Sequence, residues 1–521
     1  IGGLIFFKSG PVKQAKLTNY YQAESDLPLM IAGDYEWGLS MRMDSTVNFS
    51  RQMMLGAIQN DLMIYEFGKE ISRQCKRLGI HINFAPVIDV NNNADNPVIN
   101  YRSFGEVREN VAKKGIAYMV GLQDNHILAT GKHFPGHGDT DVDSHYDLPV
   151  INHTKNRLDS IEIYPFKELI HAGLGGVMIA HLHIPTLDSS ENVPAGLSKP
   201  IVTNLLREEL GFQGLIFTDA LGMQGVTKYY DPGETEVEAL KAGVDVLLMP
   251  RNIPTAFDKI KEAIEKGEIS EETITEKCRK ILTAKKWFGL DQYKPTEIKG
   301  IYEDLNSDEA QLLQKKLIES SLTLALNKDK IIPFTNLDTE NIASVSIGNG
   351  YISNFQKRLT FYDDVKNFAI NKNSESKIFN DKINTLAGFD KVIVSVHKMS
   401  NRPPYFGVNS NTISFVKQLS EKTKVVLVIF GNPYSLELFK NTEKLHAVLV
   451  SYNDWTVTRD LSAQLLFGGI SSRGKLPVSA GDLFPAGSGD INMQKRLKYG
   501  DAFELGLHTD TLAKIDSVIR D

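Results

Sequence analysis

The stretch IHINFAPVIDV, residues 80–90, is almost continuously apolar until it reaches Asp89. A strand buried on both faces has this composition, and such strands occur in parallel sheets that helices cover on both sides. Helix-period segments, for example residues 60–79 and 199–212, follow runs of this kind and end at Gly, as helices do. Six further runs share the pattern: IGGLIFF (1–7), LPLMIAGD (27–34), ILATGKHF (127–134), GGVMIAHLHIP (175–185), GLIFTDA (214–220) and VDVLLMP (244–250).

This alternation predicts an α/β fold with a TIM-type (β/α)8 barrel over residues 1–300. Seven βα units are visible where such a barrel has eight. The chain starts at Ile1 inside an apolar run and has no initiator Met, so we expect the first unit and the native N-terminus to be missing from it. No targeting segment can then be judged from the sequence.

Polar residues gather just after several of these predicted strands. Because the C-terminal ends of barrel strands carry the active sites of such enzymes, we expect a site there. Helix capping and turn formation explain any one of these residues equally well, but explain the whole series poorly. The residues are Asp34, Asp89, Lys132, His133, His181, His183 and Asp219.

A second α/β region is predicted over residues 301–490, and its strands indicate a mostly parallel, sandwich-like sheet. Residues 491–521 are predicted to be a linker or the start of a further C-terminal domain. The predicted strands are IASVSIG (342–348), KVIVSVH (391–397), KVVLVIFG (424–431) and HAVLVSY (446–452).

The composition excludes several classes of protein. Apolar residues make up 42% of the 521-residue chain, charged residues 23%, and the net charge is -6. No basic stripe is present to neutralise phosphates, so nucleic acid is not an expected partner. Two cysteines do not make a disulfide framework, and no apolar run is long enough for a membrane span.

The segment KHFPGHGDTDVDSH, residues 132–145, is rich in His and Asp. A calcium loop is excluded, because Ser144 stands where an EF-hand loop has Gly and Val150 stands where it has Glu. A zinc site is poorly supported, because the Pro and Gly residues around His133 and His137 forbid the helix that would bring both rings to one face. We expect no metal and no other cofactor.

An acid/base function fits this segment better. Asp143 lies two residues before His145. A carboxylate that is hydrogen-bonded to one imidazole nitrogen leaves the other nitrogen to exchange a proton near neutral pH. An acid/base pair of this kind acts together with a second catalytic group. Asp219 in LIFTDALGM could be that group, as the nucleophile of a retaining glycosidase. Asp219 could equally be the N-cap of the next helix.

Four motifs in barrel order resemble glycoside hydrolase family 3, and within it the β-N-acetylglucosaminidases. They are KHFPGHGDTDVDSH, NFAPVIDVNNNADNPVINYRSFG (83–105), GVMIAHLHIP (176–185) and LIFTDALGM (215–223). The resemblance covers residues 1 to roughly 490 and implies a TIM barrel followed by an α/β sandwich domain. It further implies a terminal, non-reducing β-linked GlcNAc as substrate, plausibly from peptidoglycan turnover.

The resemblance also implies roles for particular residues. Asp219 is expected to form a covalent glycosyl-enzyme, and His145, oriented by Asp143, is expected to be the general acid/base. Trp37 departs from the family pattern, because this chain has DYEWG where many relatives have DQEGG; its ring could stack on a sugar or pack in the core. The residues expected to bind the sugar are Asp34, Arg102, Lys132, His133, His181 and Met223.

Other readings stay open at this point. A family 3 β-glucosidase lacks the Asp143/His145 loop, whereas a phosphorylase would keep it, because a neutral His does not repel phosphate. The sequence SIGNGYIS (346–353) has the G-x-G spacing of a nucleotide-binding loop but carries Ser353 at the third glycine position. A catalytically inactive relative that only binds carbohydrate is a further alternative, but such a protein would not need a nucleophile such as Asp219. Some long bacterial relatives continue into a serine hydrolase-like domain and are exported to the cell envelope or periplasm, which we expect here.

Overall fold

The computed structural model describes residues 1–144, 146–507 and 509–520. The chain forms two compact units. One consists of residues 1–56 and 60–305, and the other of residues 57–59 and 306–521.

The first unit contains a sheet of six strands arranged in chain order, and every pairing is parallel. The seventh predicted run joins the last strand through a parallel bridge between Phe217 and Val246. The predicted order of βα units is therefore confirmed. The strands are β1 (Gly3–Ile5), β2 (Met30–Gly33), β3 (Ile82–Asn83), β4 (Leu128–Phe134), β5 (Gly176–Ile179) and β6 (Leu215–Thr218).

One apolar core unites these strands. Side chains from all seven runs share it: Ile5, Met30, Ala32, Ile82, Phe84, Leu128, Met178, Leu215, Phe217, Val246 and Leu248. Ile5 and Val246, which come from the first and last runs, pack in the same cluster, so the sheet curls around its own interior as a barrel does. Because both faces of this sheet are buried, the sequences of its strands are continuously apolar and do not alternate between apolar and polar residues.

Helices follow the strands of this unit. The helix predicted over residues 60–79 runs from Asp61 to Arg77; the Asn60 side chain accepts the Leu62 N–H at its start, and Gly79 follows its end with a φ of +67°. The segment predicted over 199–212 is a π-helix, Pro200–Glu209. The α-helices are α1 (Pro11–Ala23), α2 (Gln52–Gly56), α3 (Asp61–Arg77), α4 (Arg108–Gln123), α5 (Lys155–Ser160), α6 (Tyr164–His171), α7 (Gln224–Thr227), α8 (Glu234–Ala242), α9 (Ile253–Glu265), α10 (Glu271–Trp287) and α11 (Ile301–Leu305).

The second unit is built on a six-stranded sheet with the order β7-β12-β11-β10-β8-β9. Only β7 runs antiparallel to its neighbour, so the predicted mostly parallel sheet is confirmed. Strands β7 and β9 were not predicted, because each is partly exposed and lacks the long apolar run of the others. The strands are β7 (Thr323–Asn327), β8 (Ile342–Gly348), β9 (Lys366–Asn371), β10 (Lys391–Val396), β11 (Lys424–Ile429) and β12 (Ala447–Val450).

Six α-helices accompany this sheet: α12 (Asp308–Ser321), α13 (Asn354–Leu359), α14 (Ser376–Leu386), α15 (Ser410–Ser420), α16 (Thr456–Leu466) and α17 (Thr509–Arg520). The turn between β8 and α13 holds the G-x-G sequence. Ser353 is the N-cap of α13: its hydroxyl accepts the Gln356 N–H at 3.3 Å, and the Gln356 side chain accepts the Ser353 N–H at 3.0 Å. Ser353 therefore has a capping role in this turn. Within the described parts of both units, every helix is too short or too polar to cross a bilayer.

Candidate active site

Most of the predicted site residues come together at the C-terminal ends of the barrel strands. Asp34 follows β2, Lys132 and His133 lie near the end of β4, His181 follows β5, and Asp219 directly follows β6. Parallel strands in chain order end at the same rim, which is why residues nearly 200 positions apart in the sequence meet.

A buried ion-pair cluster forms one side of the site. The Nζ of Lys132 lies 2.9 Å from Asp34 Oδ1 and 2.9 Å from Glu36 Oε1, and Arg102 binds both oxygens of Glu36 at 2.7 and 3.0 Å. Burial alone would lower the pKa of Lys132, but Asp34 and Glu36 outweigh it and raise this pKa above its ordinary value. Lys132 and Arg102 therefore remain charged donors, as the predicted binding of sugar hydroxyls requires.

Glu36 was not singled out in the sequence, yet it organises this cluster. Its carboxylate is fully buried, and both of its oxygens bind cations. Burial would raise the pKa of Glu36, but Arg102 and Lys132 overcome this effect and hold the pKa well below its usual range. The sequence feature that could have identified Glu36 was the presence of a second carboxylate two residues after Asp34, in DYEWG.

His133 is oriented by Asp89. The ring Nδ1–H donates to Asp89 Oδ2 at 2.8 Å, and the backbone N–H groups of His133 and His137 donate to Asp89 Oδ1 at 3.1 and 2.7 Å. These bonds leave His133 Nε2 pointing toward Arg102, whose Nη2 lies 3.5 Å away. Asp89 thus fixes both the tautomer and the position of a ring expected to bind the sugar.

Asp219 is a partly exposed carboxylate whose Oδ1 accepts the Ala220 N–H at 2.7 Å. Burial would raise the pKa of Asp219, but its electrostatic interactions with His181, His133 and Lys132, together with the Ala220 N–H, bring this pKa below its ordinary value. The carboxylate is therefore ionised at neutral pH. The capping alternative is wrong: the next helix, α7, begins at Gln224, and its N-cap residue is Met223.

His181 and Met223 flank Asp219. The Nε2–H of buried His181 donates to the Ala220 oxygen at 3.1 Å, whereas its Nδ1 has no hydrogen-bond partner among the described residues. The pKa of His181 is lowered, chiefly by burial, so the ring is neutral near pH 7. Met223 is partly buried, and its N–H donates to the Ala220 oxygen at 3.1 Å.

The loop predicted to carry the acid/base lies against the segment that follows Asp219. His145 itself lies outside the described residues. Partly buried Asp143 precedes Ser144, whose Oγ lies 3.1 Å from His137 Nε2. A Cβ on Gly225, in α7, would lie 3.1 Å from the Ser144 oxygen and 3.0 Å from the Asp147 oxygen. The loop is thus held between His137 and α7.

Both ends of this loop have further anchors. The Asp147 carboxylate pairs with Lys228 Nζ at 2.9 Å, and the strand-like segment around Val150 bridges to His183 after β5. His137 is buried, and its Nδ1 lies 2.8 Å from Thr140 Oγ1. The sequence suggested His137 only as a poor metal ligand, whereas the structure shows it bracing the loop.

One group of three residues in the described chain has ligand atoms spaced as a metal site would need: Asp139, His153 and Glu162. An arginine takes part in the same cluster. Arg157 Nη1 lies 2.5 Å from Glu162 Oε1, and its Nη2 lies 3.6 Å from Asp139 Oδ2. A guanidinium supplies the positive charge that balances these carboxylates, so the group is arranged as an ion-pair network.

Residues 1–284, more than half of the chain, match the family model described as Glycosyl hydrolase family 3 N terminal domain. The chain belongs to glycosyl hydrolase family 3. Beta-hexosaminidase A of Pseudoalteromonas piscicida is 37% identical over 317 residues, which are 55% of this chain and 53% of that protein. The Beta-N-acetylglucosaminidase/beta-glucosidase of Cellulomonas fimi is 25% identical over 358 residues, 67% of this chain and 64% of that protein. The chain therefore spans between half and two thirds of the length of these two relatives.

Two solved structures match the fold of this chain over most of its length. A glycoside hydrolase family 3 beta-N-acetylglucosaminidase from Paenibacillus sp. str. FPU-7 has a TM-score of 0.75 at 30% identity, covering 92% of this chain and 93% of that one. Beta-glucoside phosphorylase BglX has a TM-score of 0.78 at 22% identity, covering 92% and 89%, and this likeness concerns the fold alone. The predicted fold class is confirmed.

Proposed function

We propose that this glycoside hydrolase is a retaining β-N-acetylglucosaminidase that removes terminal, non-reducing β-linked GlcNAc. Asp219 is the nucleophile, and His145, oriented by Asp143, is the acid/base. Relatives named beta-hexosaminidase, among them the proteins of Pseudoalteromonas piscicida and Nitrosomonas eutropha, support the choice of sugar.

The observation that carries the proposal is the setting of Asp219. It is an ionised carboxylate at the end of β6, next to His181, in the unit that also presents Lys132, Arg102 and His133. The Asp143–Ser144 loop packs on α7, which directly follows Asp219. A nucleophile beside hydroxyl-binding cations and an acid-bearing loop is the arrangement that retaining glycoside hydrolysis requires.

The first chemical step forms the glycosyl-enzyme. Asp219 Oδ1 is held by the Ala220 N–H, which leaves Oδ2 to attack the anomeric carbon. The bond from that carbon to the glycosidic oxygen breaks, and the oxygen takes a proton from the His145 imidazolium. Lys132, Arg102 and His133 fix the ring hydroxyls, so that the anomeric carbon faces Asp219 during this displacement.

The second step returns the enzyme to its starting state. Water attacks the anomeric carbon from the side that the leaving group vacated, and neutral His145 accepts the water proton. The bond to Asp219 breaks and regenerates the carboxylate, while His145 is again protonated. Two inversions give net retention at the anomeric carbon.

Hydrolysis of p-nitrophenyl β-N-acetylglucosaminide, measured beside the β-glucoside with and without phosphate, tests the proposal. We expect cleavage of the acetamido substrate and release of GlcNAc of retained β configuration. Preferred cleavage of the glucoside would assign the chain to the β-glucosidases instead. A product carrying phosphate on the anomeric carbon would identify a phosphorylase.

We further propose that the natural substrates are peptidoglycan fragments and that the enzyme acts in the cell envelope or periplasm. Terminal β-linked GlcNAc occurs in these fragments, which supports the substrate class. Fractionation of the source cells, followed by detection of the chain in the envelope fraction, would test the location. The full-length gene product would show whether a serine hydrolase-like domain follows.

A further inference from the structure

Arg51 lies between two aromatic rings beside the ion-pair cluster. Its guanidinium carbon is 5.0 Å from the centroid of the Trp37 ring and 4.8 Å from that of Tyr101. All three side chains are partly exposed, so solvent reaches this stack. The Trp37 ring, which distinguishes DYEWG from the family pattern, therefore packs against an arginine.

No described residue accepts a hydrogen bond from the N–H groups of the Arg51 guanidinium. Among the described residues Arg51 has no ion pair and no side-chain hydrogen bond, and its buried Nε–H has no acceptor. Glu36 is the acid that acts on Arg51 electrostatically, but both Glu36 oxygens are already bound to Arg102 and Lys132. Stacking holds the faces of the guanidinium plane and leaves its edge, which carries the N–H groups, without a partner.

The stack is next to the expected sugar site. Trp37 directly follows Glu36, and Tyr101 directly precedes Arg102. Because Glu36 and Arg102 bind each other through two hydrogen bonds, their neighbours in the chain are brought to one place, with Arg51 between them. A group bound at Arg51 would lie beside the pocket that holds the GlcNAc ring.

A planar guanidinium with a free edge, partly removed from water, binds carboxylates and phosphates through paired hydrogen bonds. We propose that Arg51, held between Trp37 and Tyr101, forms an oxyanion subsite beside the sugar pocket. Two sources supply this chemistry: a carboxylate carried by the leaving group, or free inorganic phosphate. The placement beside the GlcNAc pocket rests on the proposed function, whereas the binding of an oxyanion does not.

The first test compares two disaccharides with a β-linked GlcNAc at the non-reducing end. In one the reducing sugar carries a carboxylate, and in the other the same group is a methyl ester. We expect kcat/KM to favour the carboxylate by about tenfold, the range of a charge-assisted hydrogen-bonded pair. Arg51→Met, which keeps the stacked stem but loses the charge, should remove this preference.

Arg108→Met is the matched control. Arg108 is also stacked on a ring, Tyr164, at 4.6 Å, but it pairs with Glu109 at 2.7 Å. The carboxylate preference should survive in this variant. Arg51→Lys should retain part of it, because an ammonium keeps the charge without the paired donors.

The second test does not depend on turnover. The chain has three tryptophans, so the variant Trp287→Phe/Trp455→Phe leaves Trp37 as its only one. Titration with inorganic phosphate, and separately with the carboxylate-bearing disaccharide, should change the Trp37 fluorescence saturably at constant ionic strength. The added substitution Arg51→Met should abolish the change.

The outcomes separate the two sources and the two proposals. A carboxylate preference lost in Arg51→Met identifies the leaving group as the source; a fluorescence response to phosphate alone identifies free phosphate. Equal kcat/KM for the two disaccharides together with an unresponsive Trp37 overturns the subsite. If the wild type cleaves no β-GlcNAc substrate, the proposed function fails, and the fluorescence titration alone decides the subsite.

Discussion

Two carboxylates of the barrel site, Glu36 and Asp219, differ in their partners and hence in their chemistry. Both oxygens of Glu36 are held by Arg102 and Lys132, so this group has no oxygen left for attack. Asp219 has one oxygen on the Ala220 N–H, and its other oxygen has no hydrogen-bond partner among the described residues. Partner geometry, rather than residue type, thus distinguishes the proposed nucleophile from the group that supports the cations.

Asp219→Asn should reduce kcat by roughly 10⁴-fold or more, because an amide of the same shape cannot act as the nucleophile. Release of p-nitrophenol and the circular dichroism spectrum would be measured together. The exposed carboxylate of Asp231, on the connection between α7 and α8, provides the control Asp231→Asn, which should keep full activity. Wild-type rates in Asp219→Asn would place the nucleophile elsewhere.

Glu36→Gln should destabilise the fold by about 3 kcal/mol, because it leaves buried Arg102 without its charge partner and Lys132 with Asp34 alone. Loss of orientation in Lys132 and Arg102 should also raise KM by about tenfold. Urea unfolding and steady-state kinetics report these effects separately. Glu66→Gln, which alters a surface pair with Lys69 at 3.9 Å, is the control. Unchanged stability would show that the cluster does not need the Glu36 charge.

His137 gives a pH signature. Burial, with a smaller contribution from the charge of His133, lowers the pKa of His137 to about 4. The unfolded ring titrates near its ordinary value of about 6.5, so unfolding takes up a proton between these pH values. The stability linked to neutral His137 is fully present above about pH 6.5 and falls by about 3 kcal/mol toward pH 4.

His137→Gln removes this titration and should make the free energy of unfolding less dependent on pH between 4 and 6.5. Urea unfolding at a series of pH values measures the slope. The pKa of buried Asp89 is also lowered from its ordinary value, so Asp89 titrates at a more acidic pH than this interval. Identical slopes in wild type and variant would mean that folding does not shift the pKa of His137.

The acid/base loop and helix α7 act as a packed pair of elements. Two loop carbonyls lie so close to Gly225 that an added Cβ would push them back by a few tenths of an ångström, and the Asp147–Lys228 pair adds a second contact. The loop is therefore packed against the segment that follows Asp219, the proposed nucleophile.

Gly225→Ala should displace the loop by a few tenths of an ångström without touching Asp219. We expect kcat/KM to fall by about tenfold for substrates with poor leaving groups and much less for activated aryl glycosides, since these need little protonation. His145→Ala should show the same pattern more strongly. Gly222→Ala is the control, because its Cβ would meet only Arg251 Cγ at 4.0 Å. Equal losses on both substrate types would indicate a purely structural role for the contact.

At the scale of the whole molecule, the two units, each with its own sheet, differ in the polar residues that accompany their strands. The barrel unit has polar residues after its strands, whereas in the second unit the corresponding polar groups bond one another. Buried Ser395 and His397 form one such network with partly buried Asp454, with His397 Nε2 3.0 Å from Ser395 Oγ and Nδ1 2.8 Å from Asp454 Oδ1. Ser395 is completely buried, so this chain of hydrogen bonds supports the sheet rather than a reaction.

Prolonged dialysis against EDTA should leave the activity of the whole chain unchanged, because the proposed nucleophile and acid/base are side chains. The control is His153→Gln, which alters the Asp139, His153 and Glu162 group and should respond to EDTA as the wild type does. Activity that is lost with EDTA and restored by zinc would make that group a metal site.

The order of the strands and the α/β class of both units were predictable from the sequence, because burial on both faces and parallel pairing leave a continuous pattern along the chain. The partners of Glu36, the bracing role of His137 and the stacking of Arg51 against two rings were not predictable from the sequence. Each depends on contacts between segments far apart in the sequence, such as Glu36 with Arg102 and Arg51 with Trp37. Local periodicity records whether a side chain is buried, but the direction in which a loop side chain points is set by the packing of its neighbours.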